Sequence, residues 1–328
     1  MRNSGIIDQS MMDDMYAITA SLGVYSEADF RFFQDYFAGG KWVFRGQAQA
    51  KWGLLTGLER QIDNERRFFR RQFKKYTHRD ELFAIQSFRE EIGSKFQCGD
   101  DYVRYLGLMQ HFGARTRLLD FTHSLLVALG FAYEELYLNC ERAIWAVRMN
   151  AICDDERFLG LRNAKPFLVE KEQNHIGWHL VPRKLGSVFA ETDEQRKYFH
   201  GVANANIAMS IDEEKQEKCG VQPIFLPGNC NRQDAQQALF LMPYTFDSFA
   251  ANLAYTFDTD EESVCTPPSF SRRDLERDPE RGETFALMKL VFPPEFELTA
   301  RTVLERAQMS PRKLYPDLEG VAKSIRYH

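Results

Sequence analysis

The chain lacks most of the short signatures by which an enzyme declares itself. It has no Gly-x-x-x-x-Gly-Lys-Ser/Thr loop, no Gly-x-Gly-x-x-Gly fingerprint and no Gly-x-Ser-x-Gly elbow. A P-loop kinase, a Rossmann dehydrogenase and an α/β-hydrolase are therefore poorly supported. No run approaches the roughly 18 consecutive apolar residues that a membrane span requires. Met1 to Ser10 also lacks the apolar core of a signal peptide, so a cytoplasmic location is expected. Cysteine is sparse: Cys98, Cys140, Cys153, Cys219, Cys230 and Cys265 are scattered without a Cys-x-x-Cys pair. That argues for reduced thiols over a structural zinc site. Excess positive charge is missing too, since the formal net charge of -5 excludes a strongly basic nucleic-acid coat protein. Neither a fixed-period repeat nor a clear linker divides the chain.

What is present is an ordinary globular composition, 44% hydrophobic and 27% charged over 328 residues. This suits one large elaborated domain. Met15, Ile18 and Leu22, then Phe30, Phe33 and Phe37, predict two short amphipathic helices broken near Gly23. Gly39-Gly40 introduces a strand at Trp42-Val43-Phe44. Leu58 to Phe96 reads as mostly helical. Its first half holds eight basic residues between Arg60 and Arg79, opposed only by Asp63 and Glu65. Phe69, Phe73 and Tyr76 would bury one face there, leaving Arg66, Arg67, Arg70, Arg71, Lys74 and Lys75 on the other. That face suits phosphate contacts, or equally an acidic partner or plain solvent.

Further along, Leu125, Leu129, Ala132 and Leu136 predict a helix from about His123 to Leu138, capped by Thr122 or Ser124. Arg142 to Met149, Val221 to Leu226 and Thr284 to Phe292 read as buried strands. Thr266 to Gly282 is turn-rich and charged, and is expected to be a surface loop. His175 and His179 have zinc-ligand spacing, but Ile176 stands where a metalloprotease has Glu and Gly177 weakens the helix, so no metal is expected.

Three blocks stand out against this background. They are Phe44-Arg45-Gly46, then Gln110-His111-Phe112-Gly113-Ala114-Arg115-Thr116-Arg117-Leu118-Leu119-Asp120-Phe121-Thr122, and Leu314-Tyr315-Pro316-Asp317-Leu318-Glu319-Gly320. Together they resemble the FRG domain family over roughly Lys41 to Ile325. On that resemblance residues 1–40 would be an N-terminal helical extension and 41–328 the domain, with a helical insertion at about 58–100. The third block offers little chemistry and reads as a structural helix packing back on the fold.

Arg45 is permanently charged and suited to holding a phosphate or carboxylate. Gly46 is expected to release the strand into a turn. A helix starting near His123 would point its N-terminal amides at the same anion. This arrangement resembles the ADP-ribosyltransferase core, in which an arginine ends a first strand, a Ser-Thr-Ser type motif precedes a helix and a glutamate precedes a further strand. Asp120-Phe121-Thr122-His123-Ser124 matches the second element. Asn231-Arg232-Gln233-Asp234-Ala235-Gln236-Gln237 leading into Ala238 to Pro243 resembles the third, with glutamine where the acid would be.

The resemblance implies an α+β fold with a split mixed or antiparallel β-sheet core and added helices. It also implies NAD+ as ADP-ribose donor. Catalytic candidates are Arg45, Asp120, Thr122, Gln236 and Gln237. Cofactor candidates are Phe44, Arg45, Gly46, Gln110, His111, Arg117, Thr122 and His123. Because glutamine cannot be a general base, Asp120, Asp234, His111 and His123 are the remaining candidates for that role. Bland readings stand beside these: Arg45 salt-bridged to Asp120 or Asp317, Arg117 closing a local turn with Asp120, and Gln236 and Gln237 as strand-edge residues. Arg115 is expected at the rim. The acceptor expected is a nucleic acid, most of all RNA, with a toxin or phage-defence role and a neutralising antitoxin as partner. The alternatives are a noncatalytic nucleotide- or nucleic-acid-binding module and a metal-independent nuclease using His111 or His123.

Overall fold

The computed structural model describes residues 18–39, 42–69, 76–92, 98–99, 101–135, 139–153, 169–171, 174–176, 196–197, 200–201, 203–204, 207, 220–225, 235–316 and 318–325. It is a mixed α and β protein. The chain begins with β1 (Thr19–Gly23), α1 (Glu27–Ala38) and β2 (Trp42–Gln47), followed by α2 (Gly57–Phe69), α3 (His78–Ile92) and α4 (Tyr102–His111). Next come β3 (Leu119–Thr122), α5 (Leu125–Ala132), β4 (Arg142–Arg148), α6 (Met149–Cys153), β5 (Val169–Lys171), β6 (Asn174–Ile176), β7 (Val221–Ile224) and β8 (Ala238–Pro243). The remainder comprises α7 (Phe249–Phe257), α8 (Glu261–Cys265), β9 (Ser269–Phe270), α9 (Arg272–Arg277), α10 (Pro279–Thr284), β10 (Leu287–Phe292), α11 (Glu297–Arg306), α12 (Pro311–Leu314) and α13 (Leu318–Ser324).

The chain divides into two compact units. The first contains Met1–Trp52, Ser124–Arg148 and Glu262–His328; the second contains Gly53–His123 and Met149–Glu261. In the first, strands lie in the order β2-β4-β10-β1-β9. The β2/β4 and β4/β10 pairs are antiparallel, while β1 runs parallel to both β10 and β9. One face of this sheet is buried under α1, α5 and α11 by a core that includes Phe30, Phe33, Phe37, Phe44, Leu129, Ile144, Met288 and Phe292. The α1 helix is entered through a capping box, in which the Asp29 carboxylate accepts from the Ser26 backbone amide at 3.0 Å. Its Phe30, Phe33 and Phe37 recur at helical spacing and are buried. Each such ring contributes about 1.5–3 kcal/mol by leaving water.

The second unit contains an antiparallel sheet in the order β7-β8-β3 and a separate β5/β6 hairpin. Its core joins Ile85, Val103, Leu106, Met109 and Leu118 to Ile224, Phe240 and Met242.

Several expectations are corrected here. The segment before Gly23 is a strand, not a helix. Thr19-Ala20-Ser21-Leu22-Gly23 has two partners to pair with, β10 and β9, and its Thr19 and Gly23 are poor helix formers. Thr266 to Gly282 is not a plain loop, because α9 and α10 lie in it. Asp274 reaches back to the Ser271 amide at 2.7 Å, Asp278 caps α10 through the Arg281 amide, and Pro279 starts that helix. The helix after β3 is shorter than expected. Ser124 caps it, accepting from Val127, and it ends at Ala132.

Candidate functional site

In the first unit, β2 does not turn at Gly46. Arg45 lies opposite Trp145, Gly46 opposite Ile144 and Gln47 opposite Ala143 on β4. A Cβ on Gly46 would come within 2.0 Å of the Ala128 carbonyl oxygen and 2.7 Å of the Ala132 amide nitrogen. The glycine is therefore required by the backbone of α5 lying against the strand, not by a turn. Alternation along β2 then separates the tripeptide's roles. Phe44 joins the core, its ring 5.1 Å from Phe37, while Arg45 and Gln47 project from the opposite face. On that face the Trp145 Nε1 donates to Gln47 Oε1 at 2.9 Å.

The C-terminal block docks on the other side of α5. A Cβ on Gly130 would meet Leu314 Cδ1 at 2.8 Å, and Phe131 and Tyr315 meet edge to face with centroids 6.2 Å apart. Asp317 lies outside the described residues.

In the second unit the long block closes on itself. The α4 helix ends in a Schellman motif: Gly113 N–H donates to Gln110 O at 3.0 Å and Ala114 N–H to Met109 O at 2.8 Å. Gly113 supplies the left-handed backbone, with φ +89°. The Gln110 side chain then ties the loop together. Its Nε2 donates to Asp120 Oδ1 at 2.9 Å, and its Oε1 accepts a short hydrogen bond from the Thr116 hydroxyl. Thr116 Oγ1 in turn accepts from the Leu118 amide at 3.2 Å. The Gln, Thr and Asp of the motif are thus one hydrogen-bonded staple holding the entry to β3.

Arg117 lies in the core. Its Nε donates to Glu81 Oε1 at 3.0 Å and its second terminal nitrogen lies 2.8 Å from Glu81 Oε2, both side chains being almost fully buried. The remaining nitrogen donates to the carbonyls of Pro243 and Tyr244, and Phe246 packs 4.8 Å beneath the guanidinium. Burial pushes the Glu81 carboxyl upward, against the lowering influence of Arg117. Arg117 thus pairs with Glu81 and not with Asp120, and it binds β8's end to α3.

At the far end of β3 the Asp120–Ser124 segment meets the Gln236-Gln237 segment. The buried Thr122 hydroxyl donates to Gln236 O at 2.7 Å, across 114 residues of sequence, and His123 N–H donates to Gln237 O at 3.1 Å. Gln237 is exposed and has φ +47°, a left-handed conformation uncommon outside glycine, asparagine and aspartate. The His123 ring lies parallel to Phe225, 6.2 Å away with an interplanar angle of 11°. Burial, and then Arg196, hold its pKa below the ordinary value, so the imidazole is neutral at pH 7 and able to accept a proton. His111 is exposed, its ring against Phe112.

Arg66 and Arg67 lie on α2; Arg70, Arg71, Lys74, Lys75, Asp234 and His179 lie outside the described residues. His175 is on strand β6, opposite Glu170. Among the described residues no group of three or more His, Cys, Asp or Glu side chains could hold a metal. No described helix is long and apolar enough to cross a membrane. Sequence reasoning missed Glu81, Trp145 and Lys289. The last had a signal, as the single charge in the otherwise apolar run Leu287 to Phe292.

Residues 40–138 match the FRG domain, which supports the FRG family for this chain. The match spans the first two blocks, while Gln236-Gln237 and the C-terminal block lie beyond it. No curated protein and no solved structure matches the chain.

Proposed function

We propose that this protein transfers ADP-ribose from NAD+ to a nucleic acid, RNA foremost, as a toxin or phage-defence effector restrained by a neutralising partner. The observation that carries the reading is the pairing of Thr122 and His123 with the carbonyls of Gln236 and Gln237. Two of the three sequence blocks that resemble the transferase core are brought together by it, at the end of a strand that leads into a capped helix. Arg45, projecting from β2 away from the phenylalanine core, would supply the cation of the first element.

The residues suit the cofactor. When bound, NAD+ supplies the labile glycosidic bond to nicotinamide. Arg45 holds an anionic phosphate, and a glutamine amide at 236 or 237 offers a ribose hydroxyl both a donor and an acceptor. Most of the rate would then come from positioning and from electrostatics supplied by these residues where charge develops as that bond breaks. The neutral His123 is the group best suited among the candidates to accept the acceptor's proton.

A second reading, a noncatalytic nucleotide-binding module, is favoured by the glutamines themselves, since neither can act as a base. Incubation with labelled NAD+ and, separately, RNA, single-stranded DNA and total protein distinguishes the two. Label on one acceptor, lost in Arg45→Ala, is the expected result. NAD+ intact in every mixture would sink the transferase and leave the binding module.

A further inference from the structure

On the face of the first unit's sheet opposite the phenylalanine core, three residues stand in one cross-strand row. Arg45 on β2 is paired with Trp145 on β4, and Trp145 with Lys289 on β10. Directly opposed residues of antiparallel strands project to the same side. With strands about 4.8 Å apart, the two cations start about 10 Å from each other with the indole between them. The Lys289 ammonium lies 4.9 Å from the Trp145 ring centroid, so it leans over β4 in the direction of the strand that carries Arg45. The indole is fully buried and pinned through its Nε1 to Gln47, which fixes the floor of the row.

Lys289 is poorly compensated. It is half-buried, and among the described residues no carboxylate stands within ion-pair distance of it. Glu141 acts on it only as a more distant charge, too weakly to offset the loss of hydration that pulls its pKa down. A tryptophan face is a weak substitute for a carboxylate beside a desolvated ammonium. The same row holds a second, permanent cation. An anion with two charged groups a few ångströms apart matches that pair, and a single carboxylate does not.

We propose that Arg45 and Lys289 form a two-point clamp for a diphosphate, with Trp145 as the spacer that sets their separation. Arg45 engages one phosphoryl group through its planar fork and Lys289 the other as a point charge. The proposal deepens the reading of Arg45 as the anion-holding residue for NAD+, but it concerns binding and not transfer.

Calorimetry with inorganic pyrophosphate, ADP-ribose, adenosine and a single-stranded oligonucleotide tests it on the full chain, comparing native protein with Lys289→Met and Lys289→Arg. Methionine keeps the stem against Trp145 and removes the charge. The expected result is that native protein binds pyrophosphate and ADP-ribose, that Lys289→Met weakens both about ten- to a hundredfold, and that Lys289→Arg recovers most of the loss. Adenosine binding should not change, and a melting temperature no lower than native shows that Lys289→Met folds. Native protein that binds neither diphosphate, or Lys289→Met that binds both as native does, would overturn the clamp. So would a loss confined to the oligonucleotide, which would assign the row to a nucleic-acid backbone. Pyrophosphate bound through Lys289 while NAD+ remains intact with every acceptor would uphold the clamp and remove the transferase.

Discussion

Gly46 and Ala128 stand so close that a single methyl group cannot be placed between them: a Cβ on Gly46 would lie 2.0 Å from the Ala128 carbonyl oxygen. The obstruction is helix backbone, which cannot rotate away as a side chain would. Gly46→Ala must therefore push α5 off β2, disturbing Phe44, Leu129 and Ile144 beneath it. Overpacking of this kind costs about 1–3 kcal/mol and sometimes more. A fall in denaturation midpoint without a change in slope is the expected outcome. An unaltered midpoint would mean that α5 yields freely.

Arg117 and Glu81 make a second prediction, one that separates a structural role from cofactor binding. Removing one partner of a buried ion pair leaves the other charge unpaired and costs about 3–5 kcal/mol. Arg117→Met should therefore destabilise strongly, and Glu81→Leu in the same chain should recover much of the loss. If the double variant is as stable as the native chain yet loses NAD+ binding, the guanidinium has a direct part in the site after all.

His123 gives the stability profile an acid limb. Its folded pKa lies below the ordinary 6.5, through burial first and Arg196 second. The unfolded chain consequently binds more protons between 6.5 and the folded pKa. The contribution to stability is complete above 6.5 and is lost as pH falls through the folded pKa. His123→Phe, which keeps a ring against Phe225, should flatten the drop in melting temperature between about pH 7 and pH 5. Equal slopes in the two proteins would contradict this.

Lys289 acts in the opposite range. Burial lowers its pKa from 10.5, with Glu141 opposing, so the unfolded chain binds more protons between the folded pKa and 10.5. Native stability attributable to this group rises with pH across that window, and the cost of burying the charge is present in full below it. Lys289→Met should melt higher than native protein at pH 7. The gap should narrow as pH approaches 10.5, as differential scanning at several pH values would reveal.

Much of this was legible in the residues, though for uneven reasons. The apolar runs around Val43, Ala143 to Val147 and Leu287 to Phe292 became β2, β4 and β10 because the central strands of a sheet covered on both faces are mostly apolar, with Arg45 and Lys289 as interruptions. β1 was misread because three apolar residues spaced by three and four fit a helix, while the pairing that decides the matter lies at the other end of the chain. In α9 and α10 the capping residues Ser271, Asp274, Asp278 and Pro279 stand in the sequence, but with Leu275 the one buried apolar side chain there is no apolar periodicity to mark a helix. Arg117 carried no mark of its burial, since its partner Glu81 is one acid among several on α3. The motif's order was readable; which of its members are staples could only come from the contacts.

The parallel pairing of β1 with β10 also sets a schedule for the ribosome. Thr19–Gly23 cannot take its place in the first unit until residues 287–292 have left the exit tunnel. At about 5–20 residues per second, that leaves the strand waiting for roughly tens of seconds. Strands β3, β7 and β8 of the second unit can close earlier, once residue 243 has emerged. During synthesis β2 can pair with β4 once residue 148 has emerged, but the sheet that holds the Phe44-Arg45-Gly46 strand stays incomplete until β10 arrives.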